Sequence, residues 1–245
     1  MWLVLFFVTI VLILIKFYNQ NNVLVVLYST KNKHWNETIN SHIALFDKYK
    51  GQCIIGIHYW DEPGTPDEPP DEIKKYKYIM TKSKQTPLNL QNREREIFEY
   101  IRQSTKLAFE NAEELYKKTF GFDMPENQKI LRLRPDVLVE YFPISYENST
   151  DDFYLSRYDI NARRYPNPKS PEVGDIIALT TKKTLKNILT YDVDKMDKTI
   201  KYYTDNGYEL TPKVTENLSA YAVRSNINDY SIKIKLVRDN KIDIK

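Results

Sequence analysis

The sequence predicts an α/β domain in which a mainly parallel sheet is flanked by helices and preceded by an N-terminal hydrophobic anchor helix. Two buried strands with a helix between them predict a βαβ unit, which implies parallel strands and a right-handed crossover. A later hydrophobic strand carries charges on one face, and the first 18 residues are almost uncharged. We expect a single domain over residues 23–245, joined to the apolar segment by a spacer at 19–22.

Length and composition fit one large folded domain. The chain has 245 residues, of which 42% are hydrophobic and 13% aromatic, enough to form a sizeable core. Its formal net charge is only +3, from 36 basic and 33 acidic residues, and the lysines are scattered along the chain. This charge balance argues against a nucleic-acid-binding protein.

Several metal and cofactor motifs are missing from the sequence. The single cysteine, Cys53, lies in an apolar run, so no intrachain disulfide can form and we expect a buried thiol. The histidines His34, His42 and His58 lack metal-ligand spacing. Neither a GxGxxG nor a GxxxxGK(S/T) sequence occurs, which removes the signatures of Rossmann dinucleotide binding and of P-loop chemistry.

Residues 1–18 predict a single-pass membrane anchor. Apart from Thr9 and Lys16 the run is apolar or aromatic, and about 18 helical residues reach roughly 27 Å, close to the hydrocarbon thickness of a bilayer. No small-residue cleavage site follows, so we interpret residues 2–18 as an uncleaved anchor; the alternative is a segment buried in the domain. Lysines after the run favour a cytoplasmic domain, whereas three N-x-S/T sequons favour a lumenal one, so the side of the membrane stays open.

The predicted sheet begins directly after the spacer. Residues 23–28 are continuously apolar, as expected for a strand covered on both faces. Residues 35–49 have apolar side chains at helical spacing, and residues 52–59 predict a second buried strand. Near its carboxyl end, Tyr59 and Trp60 can stack on a base or a sugar, or they can close the rim of the core.

Further helices and strands follow along the chain. The segment at 90–120 is rich in helix formers and ends at Gly121. The loop at 158–173 is long enough to be either functional or disordered. We expect additional strands at 153–157, 174–179 and 231–238, and additional helices at 181–189, 194–205 and 215–222.

The stretch 129–140 carries the charges that point to a function. Its alternation places Ile130, Arg132, Arg134 and Asp136 on one side of a strand, with Leu131, Leu133 and Val137 on the other. Pro135 ends regular pairing, which leaves Asp136 at the carboxyl end, where ligands bind in open α/β sheets. Arginine forks match phosphate oxygens, and an aspartate there can hold a cation that bridges a diphosphate. A phosphorylated-ligand site and an edge strand in which Asp136 pairs with an arginine fit this pattern equally well.

In the order of its predicted elements and motifs, the chain resembles the small GT-A-like glycosyltransferases of the WavE lipopolysaccharide-synthesis type and similar proteins of large DNA viruses. The resemblance covers most of residues 23–245. It rests on the strand end at 57–61, Gln103-Ser104, Arg134-Pro135-Asp136, and Gly174-Asp175 before an apolar strand and a helix. It implies a GT-A-like fold and transfer of a sugar from a nucleotide-sugar donor to a glycan or lipid-linked acceptor.

The resemblance also implies roles on the donor side. Asp136 would hold Mn²⁺ or Mg²⁺ and the diphosphate, while Arg134 and Arg132 would neutralise the charge of the departing nucleoside diphosphate. A usual GT-A site has an Asp-x-Asp pair, but here Arg134 stands two residues before Asp136 and Leu138 two residues after. Either the enzyme works without a metal, or a second ligand comes from elsewhere. The candidates for that ligand are Asp61, Asp151, Asp152 and Asp159.

On the acceptor side, the resemblance implies that Asp175 is a carboxylate near the acceptor and the general base for its hydroxyl group; a turn residue beside Gly174 is the alternative. The main hypothesis is thus a membrane-anchored glycosyltransferase. The other two are a non-catalytic, membrane-tethered relative that binds a glycan or a partner, and a membrane-associated structural protein.

Overall fold

The computed structural model of the protein describes residues 2, 4–11, 23–29, 34–47, 52–63, 65–88, 93–141, 153–156, 177–190, 198, 201, 205, 227–230, 233–238 and 241–243. The predicted loop at 158–173 and the predicted helix at 215–222 lie outside these residues. Of the helix predicted at 194–205, only three residues are described, and all three are helical.

Strands and helices alternate along the first half of the chain. The elements are α1 (residues 4–11), β1 (Val23–Ser29), α2 (Trp35–Asp47), β2 (Gln52–Trp60), β3 (Lys77–Ser83), α3 (Arg93–Phe120), β4 (Lys129–Leu133), β5 (Val137–Tyr141), β6 (Phe153–Ser156), β7 (Ile177–Thr181), α4 (Lys182–Leu189), β8 (Ile227–Tyr230), β9 (Lys233–Arg238) and β10 (Lys241–Asp243).

Seven of the described strands form one sheet in the order β3-β2-β1-β4-β7-β6-β8. The pairs β1–β2, β2–β3, β1–β4 and β6–β8 are parallel, whereas β7 runs antiparallel to both β4 and β6. Because β7 is the one reversed strand of these seven, the prediction of a mainly parallel sheet flanked by helices is confirmed. The alternative of an edge strand is wrong for residues 129–133, since β4 lies between β1 and β7, whereas β5 is at the edge of the described three-stranded sheet. The pairing of Asp136 with an arginine, which belonged to the same alternative, is confirmed.

Helices cover both faces of the sheet. On one face, α2 packs its apolar side chains against alternate residues of β1 and β2, which produces a core of Leu24, Val26, Tyr28, Trp35, Ile39, Leu45, Phe46, Ile55, Ile57 and Tyr59 with their neighbours. On the other face, α3 and α4 pack against the intervening strand residues. That core contains Val23, Val25, Leu27, Ile54, Ala108, Phe109, Ala112, Tyr116, Ile130, Leu185 and Leu189.

Gly56 sets the approach of α3 to the sheet. A Cβ atom at Gly56 would lie 2.0 Å from the carbonyl oxygen of Ala108 and 2.8 Å from the Cβ atom of Ala112. The glycine in β2 and the two small residues of α3 therefore let the helix backbone come closer than any larger side chain would permit.

The stretch 129–140 forms two strands in two different sheets. Its first part is β4, and its second part, β5, belongs to an antiparallel sheet with the order β10-β9-β5. Regular pairing of β4 ends at Leu133, as the position of Pro135 predicts. The turn Arg134-Pro135-Asp136 therefore stands between the two sheets.

The N-terminal run is helical at residues 2 and 4–11, and its large apolar side chains are exposed, among them Trp2, Val4, Leu5, Phe6, Phe7, Val8 and Val11. This exposure argues against the alternative that the run is buried in the domain. Within the described part of the chain, no helix has the length and apolarity needed to cross a bilayer. Because residues 12–22 lie outside that part, the anchor over residues 2–18 stays a prediction.

Candidate functional site

The Arg134-Pro135-Asp136 turn lies where the strand order of the main sheet reverses. From β1 the chain builds outward to β2 and β3, and α3 then carries it back so that β4 pairs with the free side of β1. Strands β1 and β4 are parallel, so their carboxyl ends, Ser29 and Leu133, face the same edge. In open α/β sheets, a reversal of this kind opens the crevice in which ligands bind.

Arg134 and Asp136 form a two-pronged ion pair across this turn. The Nε group of Arg134 donates to Oδ1 of Asp136 at 3.0 Å, and its second guanidinium nitrogen donates to Oδ2 at 2.7 Å. Both carboxylate oxygens are thus engaged by one planar fork, which is a strong and geometrically specific arrangement. The side chains of Arg134 and Asp136 are 24% and 17% exposed, so both are partly accessible at this edge of the sheet.

Helix α2 holds the backbone of this turn with three polar side chains. The Thr38 hydroxyl group donates to the carbonyl oxygen of Pro135. The amide nitrogen of Val139 donates to Oγ of Ser41 at 3.0 Å, and Nε2 of His42 lies 2.6 Å from the carbonyl oxygen of Val137. Because residues 38, 41 and 42 share one face of the helix, α2 forms hydrogen bonds to the backbone both before and after Asp136.

His42 has a defined protonation state in this arrangement. A carbonyl oxygen only accepts, so Nε2 carries the proton that it donates to Val137, and Nδ1 accepts from the Tyr28 hydroxyl group at 2.9 Å. Desolvation by burial lowers the pKa of His42 to about 4, despite the hydrogen bond to Val137 and the nearby charge of Asp136, which raise it. The imidazole is therefore neutral at pH 7 and links the carboxyl end of β1 to the turn.

Arg132 is a buried cation on the neighbouring part of β4. It is 8% exposed and pairs in register with Leu27 of β1 on one side and Ala178 of β7 on the other. Its strand neighbours Leu131 and Leu133 belong to the core under α2, so the predicted alternation places Arg132 on the α3 face. Arg132 thus lies within β4, whereas Arg134 lies in the turn that follows the strand.

Two of the segments on which the sequence resemblance rests, residues 57–61 and Gln103-Ser104, are in contact near the carboxyl end of β2. Nδ1 of His58 lies 2.9 Å from Oγ of Ser104, and Nε2 of His58 lies 2.9 Å from Oγ of Ser83. Ser104 is fully buried, and burial lowers the pKa of His58 to about 4. This polar cluster joins β2, β3 and α3, and we interpret it as the support that fixes α3 beside the crevice.

The aromatic residues Tyr59 and Trp60 lie in the core and at its rim. Tyr59 is fully buried and packs edge-on against Trp35, with 5.7 Å between ring centroids. Trp60 packs edge-on against His58 at 5.0 Å and against Tyr100 at 5.9 Å. Strand β1 separates both aromatic residues from the turn, so this placement agrees with the alternative that they close the core.

Of the other predicted site residues, Asp61 lies past the end of β2, where its amide nitrogen donates to the carbonyl oxygen of Ser83 at 2.8 Å. Strand β1 therefore lies between the end of β2, where Asp61 stands, and the turn that holds Asp136. Asp175, the candidate general base, lies outside the described residues, as do Asp151, Asp152 and Asp159.

The residues of the turn are not suited to binding a divalent cation in the way that an Asp-x-Asp motif binds one. Both oxygens of Asp136 accept hydrogen bonds from Arg134, and in the correspondence that the resemblance implies, Arg134 takes the place of the first carboxylate of the motif. A cation bound to Asp136 would lie within roughly 5 Å of that guanidinium group, where like charges repel. Among the described residues, no cluster of three histidine, cysteine, aspartate or glutamate side chains has the spacing of a metal site.

Sequence reasoning found Arg132, Arg134 and Asp136 but missed the residues of α2 that support them. A signal was present, because Thr38 and His42 are polar positions on the buried face of an amphipathic helix. Polar side chains on such a face need buried partners. Here the partners are backbone groups almost 100 residues away in the sequence.

Comparisons with known proteins give a distant structural similarity. No protein-family model matches the sequence, and no curated protein matches it. Among solved structures, the chain is similar to the galactosyltransferase LgtC in complex with donor and acceptor sugar analogues, with a TM-score of 0.41 and 13% identity over 81% of this chain and 70% of that chain. It is also similar to an active-site mutant of LgtC, with a TM-score of 0.41 and 12% identity over 80% of this chain and 69% of that chain.

Proposed function

We propose that the protein is a glycosyltransferase that binds the diphosphate of a nucleotide-sugar at the Arg134–Asp136 turn and transfers the sugar to a glycan or lipid-linked acceptor. The observation that carries this proposal is the position of the Arg134–Asp136 turn, with a guanidinium group fixed in place, at the strand-order reversal between β1 and β4. The resemblance of the sequence to GT-A-like glycosyltransferases of the WavE and large-DNA-virus type supports the same activity.

The chemistry required of the site is the stabilisation of a leaving group. As the bond between the sugar and the diphosphate breaks, negative charge grows on the diphosphate, and preorganised cationic donors favour that state over the ground state. Arg134 is fixed by Asp136, and the backbone of the turn is fixed by α2. Asp175 is our candidate for the base that removes the proton of the acceptor hydroxyl group.

Membrane association is the second part of the proposal. Helix α1 exposes large apolar side chains around its surface, including those of Phe6 and Phe7, which is costly in water and favourable in lipid. We infer that residues 2–18 hold the domain at a membrane, on a side that the sequence leaves open. A tether of this kind raises the effective concentration of lipid-linked acceptors.

A non-catalytic, membrane-tethered binding protein is the alternative function. The observation that favours it is the ion pair itself, because Asp136 already has a partner for each of its oxygens without any ligand. A turn built only for stability would have the same arrangement. The two functions differ in whether the crevice binds a nucleoside diphosphate.

Binding of nucleoside diphosphates to the full-length chain in detergent tests the proposal. We expect one of UDP, GDP, CDP and dTDP to stabilise the protein, by about 2.7 kcal/mol at 100 times its dissociation constant. At the same nucleotide concentration, Arg134→Gln should remove about half of this gain or more. Lys118→Gln removes the same charge from an exposed position near the end of α3 and should leave the gain intact. If no nucleotide stabilises a folded chain, the alternative function replaces the transferase.

A further inference from the structure

We propose that the guanidinium group of Arg134, positioned by Asp136, supplies the positive charge that a divalent cation supplies in an Asp-x-Asp site. The site then binds a nucleoside diphosphate without a metal ion. This inference rests on the proposed function and adds the means by which the diphosphate is recognised.

The first argument is geometric. One edge of the guanidinium group, formed by Nε and one terminal nitrogen, faces both oxygens of Asp136 at 3.0 and 2.7 Å. Two parallel hydrogen bonds fix the plane of the guanidinium group as well as its position. Asp136 therefore orients a cation, which is the task that the aspartates of an Asp-x-Asp pair perform for a metal ion.

The second argument is the charge of the site. Two carboxylates with one divalent cation have a net charge of zero, and Arg134 with Asp136 also have a net charge of zero. Replacement of the first aspartate by arginine thus removes one negative charge and supplies one positive charge, which together equal the charge of the cation. The net charge that faces the diphosphate is therefore the same in both arrangements.

The third argument is that the turn is held in place. Pro135 restricts its own backbone and is buried, with its carbonyl oxygen bonded to Thr38. Beyond Asp136, the carbonyl oxygen of Val137 is bonded to His42, and the amide nitrogen of Val137 donates to the carbonyl oxygen of Arg134 at 3.3 Å. With its backbone fixed on both sides, Asp136 keeps Arg134 as its partner while the guanidinium group meets phosphate.

Isothermal titration of the full-length chain in detergent tests this inference, with UDP, GDP, CDP and dTDP as probes in EDTA and again in Mn²⁺. For the wild type, we expect the dissociation constant of the preferred nucleotide to differ by less than about twofold between the two conditions. Loss of the charged donor in Arg134→Gln should weaken binding roughly 10- to 100-fold in both.

A variant that restores the usual motif gives the opposite expectation. Arg134→Asp should bind the nucleotide weakly in EDTA and regain affinity in Mn²⁺, and the electron paramagnetic resonance signal of Mn²⁺ should report a bound ion only in this variant. Arg134→Lys keeps the charge without the fork and should stay independent of the metal, so a folding failure of the aspartate variant leaves the inference testable.

Three results overturn the inference. Wild-type binding that is tenfold or more tighter in Mn²⁺ than in EDTA shows that the cation is needed, and the proposed function then survives without it. Undiminished binding by Arg134→Gln in EDTA shows that Arg134 is not the cation. If the folded wild type binds no nucleotide under either condition, the proposed function fails together with the inference.

Discussion

Nε2 of His42 donates a hydrogen bond of 2.6 Å to the carbonyl oxygen of Val137, which is the first residue after the Arg134–Asp136 turn. The same ring accepts a hydrogen bond from Tyr28 near the carboxyl end of β1. One buried imidazole thus couples β1 of the main sheet to the start of β5, directly after the turn. Its position on α2 makes this helix a structural part of the candidate site and more than a cover for the sheet.

His42→Phe should destabilise the protein and also weaken nucleotide binding. The phenyl ring fills a similar volume but removes the hydrogen bonds that His42 makes to the buried Val137 carbonyl oxygen and Tyr28 hydroxyl group. Each such group costs about 1–3 kcal/mol, so we expect a total loss of roughly 2–4 kcal/mol in urea unfolding. Affinity for the preferred nucleoside diphosphate should fall as well, because the backbone beside the turn loses the hydrogen bond from His42 that holds it in place.

Asn40→Ala is the matched control for His42→Phe, since Asn40 is an exposed residue of the same helix. It should change stability by less than about 0.5 kcal/mol. If His42→Phe lowers stability but leaves nucleotide affinity at the wild-type value, the imidazole supports the fold and has no positioning role.

Acid should destabilise the protein between about pH 6.5 and pH 4. Burial lowers the pKa values of His42 and His58 to about 4, whereas both are near 6.5 in an unfolded chain. Between these pH values the two histidines are protonated in the unfolded state and neutral in the folded state. Their contribution to the free energy of unfolding is therefore fully present above pH 6.5 and is lost as the pH drops toward 4. His42 alone accounts for a loss of up to roughly 3 kcal/mol at the bottom of this range.

Urea unfolding at half-unit pH steps measures this loss. Replacement of both histidines by asparagine should flatten the curve between pH 6.5 and pH 4, although the double variant starts from a lower stability. An unchanged slope in that variant would show that other groups, such as carboxylates, control the response to acid.

Gly56→Ala should be among the most disruptive small substitutions in the described part of the chain. The added methyl group would meet the Ala108 carbonyl oxygen at 2.0 Å, and this backbone atom cannot move without shifting α3. We expect a loss of about 3 kcal/mol or more in urea unfolding, at the upper end of the usual cost of overpacking.

Gly121→Ala separates this steric effect from the general cost of replacing glycine. Gly121 has a φ angle of 77° at the end of α3, and no atom lies within 4 Å of a Cβ placed there. The alanine should therefore cost only about 1–2 kcal/mol of backbone strain. Equal losses for the two variants would contradict a close contact between α3 and β2.

The elements that could be predicted from the sequence are those whose apolar residues recur at a regular spacing or form an unbroken run. Residues 23–28 of β1 are continuously apolar, β2 is mostly apolar, and α2 and α3 have apolar residues at helical spacing, so each could be recognised on its own. Strand β3 was missed because lysines and half-buried residues interrupt its pattern at the edge of the sheet. Strand β5 could not be separated from β4 because its partner, β9, lies about 100 residues further along the chain.

The same limit applies to the site. The charges and Pro135 are visible in a short stretch of sequence, and they predicted both the end of β4 and the possible pairing of Asp136 with an arginine. The support from Thr38, Ser41 and His42 spans 95 to 98 residues, and no local pattern specifies such contacts. Whether the turn binds a diphosphate stays a prediction.

Asp136→Asn distinguishes an aspartate that orients Arg134 from one that binds a metal. The amide keeps one oxygen that can accept from Arg134 but loses the negative charge, so the guanidinium group is held less firmly. We expect nucleotide affinity to fall about tenfold, which corresponds to about 1.4 kcal/mol, in EDTA and in Mn²⁺ alike. Arg134→Gln removes the cation itself and should cost more than Asp136→Asn in both conditions. The loss of a metal ligand, in contrast, weakens binding only when Mn²⁺ is present. If the titration of Asp136→Asn shows that pattern, Asp136 binds a metal ion as in an Asp-x-Asp site, and Arg134 is an auxiliary contact.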